Sequence, residues 1–156
     1  MPAGRGTVSK KVRLFHSTPA AALQHVREQG LRVVSEFPDL ELPLRQGVVY
    51  CWLRPEDDKM SVGGQRPNHV YVEVEVDEDR CTVADMEWVS LAITYAKGFG
   101  NRPRNPEAAR LLAQVYEVTA VPLSGYVPGM FFTPEVLVKG DIGPESVSAP
   151  MVGESE

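Results

Sequence analysis

Three side chains in this sequence stand where chemistry can be done: a histidine that closes a strand, a tyrosine inside another, and a glutamate that opens a third. In the first run Val12, Leu14 and His16 share one face and Arg13 and Phe15 the other, the two-residue period of a strand. Ser17 and Thr18 follow; Thr18 can cap a helix with Pro19 at its first position, and Leu23 and Val26 share a face of it until Gly30 stops it. A ring at a strand edge beside a helix N-terminus suits an anionic or amide-bearing ligand, although a lone strand-end histidine is more often a structural hydrogen-bonder. Tyr50 lies in Gly47-Val48-Val49-Tyr50-Cys51-Trp52-Leu53, and Glu135 opens Pro134-Glu135-Val136-Leu137-Val138-Lys139 just after an aromatic loop. Taken singly, Tyr50 also reads as a core aromatic of a central strand, and Glu135 as a surface carboxylate at a strand edge.

The elements that must position these residues belong to an ordinary globular chain. Its 156 residues are 43% hydrophobic and 24% charged, which suits one domain with a single core. Cys51 and Cys81 make neither a metal pair nor a disulfide framework, so no metal is expected and a reducing, cytoplasmic setting is favoured. No run of about 18 apolar residues occurs, and nothing targets a membrane. A net charge of -5 argues against nonspecific nucleic-acid binding; Lys97, Arg102, Arg104 and Arg110 make one local basic cluster, which reads as a solvated face.

Along the chain, residues 1–9 read as a frayed leader, Leu31 to Val34 as a short strand, and Ser35 to Arg45 as a loop interrupted by Pro38 and Pro43. Gly47 to Leu53 is a strand buried on both faces, and Glu56 to Pro67 a polar surface loop that can close over a ligand. Val70 to Val76 alternates without a break, valines inward and Tyr71, Glu73 and Glu75 outward. Asp85 caps a helix reaching Lys97 with a core stripe of Met86, Val89, Ile93 and Ala96, and Gly98 stops it. Asn105-Pro106-Glu107 starts a further helix containing Ala108, Leu111, Leu112 and Val115. Pro122, Gly125, Pro128 and Gly129 exclude regular structure from about Val121 to Met130, leaving Tyr126, Phe131 and Phe132 on or near an exposed turn, with Tyr126 at its tip. After Val147 the chain is small and polar and reads as a tail.

In combination, the ordered signals resemble the ADP-ribosyltransferase superfamily, in the His-Tyr-Glu branch of the diphtheria-like toxins and poly-ADP-ribose polymerases. His16-Ser17-Thr18 with Gly30-Leu31 is similar to the family's first motif, Gly47-Val48-Val49-Tyr50 to its second, and Glu135-Val136-Leu137-Val138 with Ile142-Gly143-Pro144-Glu145 to the ending of toxin-type members that modify nucleic acids. Two departures stand out: Ser17 replaces a glycine, and the Gly47–Tyr50 spacing is one residue longer, so alternation turns either Tyr50 or Val49 and Cys51 to the site.

The resemblance implies an α+β domain over residues 10–147, with tails at 1–9 and 148–156, in which two small, mostly antiparallel sheets flank an NAD cleft and helices lie at about 18–29, 85–97 and 106–117. It implies a mono-ADP-ribosyltransferase that uses NAD as co-substrate and releases nicotinamide, with Glu135, His16 and Tyr50 catalytic. His16, Ser17, Thr18 and Tyr50 would hold NAD, while Tyr126, Phe131 and Thr133 would meet a macromolecular acceptor, nucleic acid or protein. An antidote protein is a further candidate partner. The alternatives are an NAD glycohydrolase, and a catalytically silent nucleotide- or partner-binding module on the same fold.

Overall fold

The computed structural model describes residues 10–37, 40–58 and 68–148. Its longest pairing joins β1 (Lys11–Pro19) to β3 (His69–Asp77), antiparallel in a register running from Lys11 opposite Asp77 to Pro19 opposite His69. The uninterrupted alternation of β3 buries Val72, Val74 and Val76 against Leu14, all at most 2% exposed. Each such burial contributes about 1.5–3 kcal/mol, more than the roughly 1 kcal/mol span of strand propensity, so patterning decides the element. A short β7 (Val147–Ser148) completes this sheet on the far side of β3, which makes Ser148 part of the fold and not of a tail.

The second sheet has the order β2-β6-β4-β5, formed by Val48–Cys51, Pro134–Lys139, Cys81–Asp85 and Val121–Pro122, every pair antiparallel. Its inner face, with Val49, Cys51, Val83, Val136 and Val138, shares one core with the first sheet; its outer face, with Val48, Ala84 and Leu137, shares another with α2 (Met86–Lys97) and α3 (Pro106–Thr119). The architecture is thus α+β, with two small antiparallel sheets. They are stitched together where Phe15 of β1 and Trp52, just past β2, exchange main-chain hydrogen bonds of 2.9 and 2.7 Å.

Both expected caps form: Asp85 accepts from the Glu87 amide and Asn105 from the Ala108 amide, and Gly98 ends α2 at φ 79°. Within α2 the fully buried positions are Val89 and Ala92, with Met86 and Ile93 at the margin; in α3 they are Ala109, Ala113 and Tyr116, while Leu111 is exposed.

Several expectations are corrected. β1 does not end at His16, because β3 offers partners through His69; Thr18 sits opposite Val70 inside the ladder and caps nothing. α1 accordingly starts at Leu23, after a 3-10 turn over Ala20–Ala22, and ends at Gln29 before Gly30. Gly30 is required there, since at φ 76° an added Cβ would strike the Ile142 carbonyl. Leu31 and Val34 make only single bridges, to Ile142 and Val48. Val121–Pro122 is a two-residue strand despite its proline, which sits at the sheet edge. The expected leader (1–9), most of the proposed closing loop (59–67) and residues 149–156 lie outside the described residues.

Candidate active site

Tyr50 and Glu135 come to the same face of the second sheet, and the residue that joins them is Arg45. The 3-10 turn Pro43–Arg45 delivers this arginine into the outer core, where it is 2% exposed. Its guanidinium lies 4.4 Å from the centroid of the Tyr50 ring, 5.5 Å from Phe37 and 5.8 Å from Tyr116. Nη1 donates to a carboxylate oxygen of Glu135 and, at 3.1 Å, to Tyr116 Oη; Nη2 donates to Glu36 Oε1 at 2.7 Å. Tyr116 in turn donates to Glu135 Oε2 at 2.6 Å, and Tyr50 donates to the Arg45 carbonyl at 2.7 Å.

Glu135 is therefore no edge carboxylate. β6 is a central strand, and its second residue is 1% exposed, turned toward α3. Burial pushes its carboxyl above the ordinary range, against the pull of the Arg45 guanidinium and the Tyr116 hydroxyl. Burial also works against the charge of Arg45, but Glu135, Tyr116 and Glu36 together overcome it and hold the guanidinium above its usual value. The two need each other: an arginine and a carboxylate this deep are tolerated only as a hydrogen-bonded pair. Both bonds to Glu135 end on Oε2, and among the described residues no donor reaches Oε1. Arg45 Nε likewise has no acceptor among the described residues.

The Tyr50 register is settled by the pairing of β2 with β6. Val49 and Cys51 point into the inner core, and Tyr50, opposite Leu137, points to the face that carries Glu135. Burial pushes the Tyr50 phenol up to about 12, so it stays protonated at neutral pH and can donate.

His16 reaches the cluster through main chain. It lies one residue beyond the Phe15–Trp52 stitch, and its Nδ1 is 2.7 Å from the Tyr50 carbonyl. A carbonyl accepts only, so Nδ1 carries a proton. The Ser17 hydroxyl is buried without a partner among the described residues, and Thr18 is 5% exposed.

The loop before β6 is held by Asp85. Besides capping α2, its carboxylate accepts from the amides of Phe132 and Thr133 at 3.0 Å each, and the Thr133 carbonyl accepts from the Met86 amide at 2.9 Å. The exposures invert the expectation for the aromatics. Tyr126 packs on Phe131, centroids 5.6 Å apart, and both lean on the inner core; Phe132 stands 81% exposed and Thr133 is buried.

Sequence reasoning missed Arg45 and Tyr116. Arg45 sits at the end of a proline-interrupted loop, and nothing local separates it from a solvated cation; only the pairing of β2 with β6 brings its turn over Glu135. Tyr116 carries a fainter signal, an aromatic on the same helix face as Ala109 and Ala113. Comparison with protein-family models, with curated proteins and with solved structures finds no match in any of the three.

Proposed function

We propose that this protein is an NAD-dependent mono-ADP-ribosyltransferase whose reacting carboxylate is Glu135. The observation that carries the reading is the convergence of residues chosen from distant parts of the chain: His16 touches Tyr50, the Tyr50 ring covers Arg45, and Arg45 holds Glu135. NAD would enter at the seam where β1 meets β2, with its nicotinamide amide against the main chain of Ser17 and its ring against Tyr50. Breaking the nicotinamide–ribose bond builds positive charge on the ribose, as in other glycosyl transfers. Glu135 answers it: Arg45 and Tyr116 hold the carboxylate through Oε2, and Oε1 is the atom offered to the ribose hydroxyl. His16, held by Nδ1 against the Tyr50 carbonyl, would orient a ribose hydroxyl. The exposed Phe132 is the side chain best placed to meet the acceptor ahead of β6.

One observation favours a second reading, the silent binding module. Glu135 is 1% exposed and already engaged by two donors, the arrangement of a structural ion pair. Titration calorimetry with NAD, beside mass spectrometry of protein incubated with NAD, nucleic acid and lysate proteins, separates the two. Transferase action gives binding, free nicotinamide and an ADP-ribosyl mass on an acceptor; binding with intact NAD supports the module, and neither binding nor turnover removes both.

A further inference from the structure

The elbow between α2 and α3 gathers cations that the proposed chemistry does not use. A groove of about 940 Å³ runs beside both helices, floored by Ile93, Ala96, Pro106 and Ala109, with Lys97, Arg104 and Arg110 on its walls. Through Arg104 it continues into a smaller depression of about 180 Å³ that holds Tyr95, Phe99 and Arg102. The two rings meet edge to face at 5.7 Å, Phe99 is 40% exposed, and the Arg102 guanidinium lies 5.7 Å from its centroid. This turn is built, not loose: Phe99 and Arg102 exchange main-chain hydrogen bonds of 3.3 and 2.8 Å, and Gly98 at φ 79° lies so close to the Arg102 carbonyl that a Cβ would sit 2.9 Å from it. Glu41 and Glu107 also line the groove, so among the described residues the surface carries four cations against two carboxylates, in a chain whose net charge is -5. The groove is also lined by Phe37, whose ring lies 5.5 Å from the Arg45 guanidinium; none of the cations named belongs to the cluster around Arg45.

We infer that this elbow binds single-stranded nucleic acid. An acidic peptide would ask only for cations, whereas a single strand asks for cations spaced along a groove and exposed rings on which bases stack, and the elbow supplies both. Lys97, Arg104 and Arg110 take phosphates along the groove, and Phe99, stiffened by Arg102 and Tyr95, takes a base at its end. The cluster that looks like a solvated face in sequence thus acquires a groove and an aromatic platform in space. The inference does not depend on ADP-ribosyl transfer, since binding is read directly.

The test is fluorescence anisotropy of the full chain with a labelled thymidine oligonucleotide of about 20 nucleotides. Three or four phosphate contacts predict affinity falling about 20- to 50-fold between roughly 50 and 200 mM salt. Lys97→Gln with Arg110→Gln should weaken binding roughly 20-fold at about 0.1 M salt and flatten that dependence, and Phe99→Ala should weaken it about fivefold or more. Arg13→Gln, an exposed cation of β1 outside this surface, should bind the oligonucleotide as the parent does, with melting temperatures confirming that each variant is folded. Absence of binding at low salt, indifference to the Lys97/Arg110 changes, or equal binding of a polyglutamate peptide would each overturn the inference.

Discussion

Arg45 and Glu135 bind one another in a place where neither could remain charged alone. Removing one partner of such a pair leaves the other as an uncompensated buried charge, at a cost of about 3–5 kcal/mol. Arg45→Met should therefore lower stability by about that amount in urea denaturation, and Glu135→Gln by somewhat less, because Glu36 still accepts from Arg45. The double variant should recover part of the loss; strictly additive losses would mean that the pair contributes no coupling. At the loop, Tyr126→Ala strips the ring that packs on Phe131 and should lower the melting temperature by several degrees, while Phe132→Ala should leave it within about a degree and reduce acceptor modification. The reverse order would contradict the placement of these rings. None of this was readable at Arg45, because an arginine in a loop declares no partner until a distant strand supplies one; Tyr50 and Glu135 could be set in strands, but the face of Tyr50 and the burial of Glu135 waited on the pairing of β2 with β6.

Elements were legible where their signals are local. Asp85 with Gly98, and Asn105 with Pro106, mark helix ends because the capping oxygen, the fixed proline φ and the left-handed glycine act within one turn. Thr18-Pro19 carries the same kind of signal, yet the β1–β3 ladder claims both residues, since pairing through His69 satisfies more backbone than a cap would. The buried face of α3 was blurred for another reason: Leu111 and Leu112 compete with Ala109, Ala113 and Tyr116, and which face turns inward is set by the close approach of α2. Asp85 exceeds its local role, because it fastens the start of α2 to the residues that lead into β6. Asp85→Ala should cost about 2 kcal/mol or more, above the roughly 1 kcal/mol typical of a cap, and should speed hydrogen exchange at the Phe132 and Thr133 amides. Loss of stability with unchanged exchange at those amides would reduce Asp85 to a helix cap.

At the scale of the molecule, two sheets meet at the Phe15–Trp52 stitch, and the inner core between them encloses both thiols. Burial raises the Cys51 thiol, and raises Cys81 from 9.0 to about 11. In that window the unfolded chain has already lost protons that the native one keeps, so stability is full below about pH 9 and falls as the pH rises toward 11. Denaturant midpoints across this range check the sign, and at pH 8 a thiol reagent should label neither cysteine until the chain unfolds. Strand alternation and helix caps marked the separate strands and helices, and the division into two small antiparallel sheets came with the family resemblance, while the way the sheets place Tyr50, Arg45 and Glu135 together depended on strand pairings across nearly 90 residues that no local pattern encodes.

The central claim, that Glu135 is the reacting carboxylate, is tested most directly by the rate of nicotinamide release from NAD. It should be measured for the parent chain and for Glu135→Gln at a temperature where circular dichroism finds both folded. Loss of a carboxylate that stabilises the ribosyl cation should slow release a hundredfold or more, worth about 3 kcal/mol in the barrier. A folded Glu135→Gln protein that releases nicotinamide near the parent rate, or a parent chain that releases none, would contradict the account.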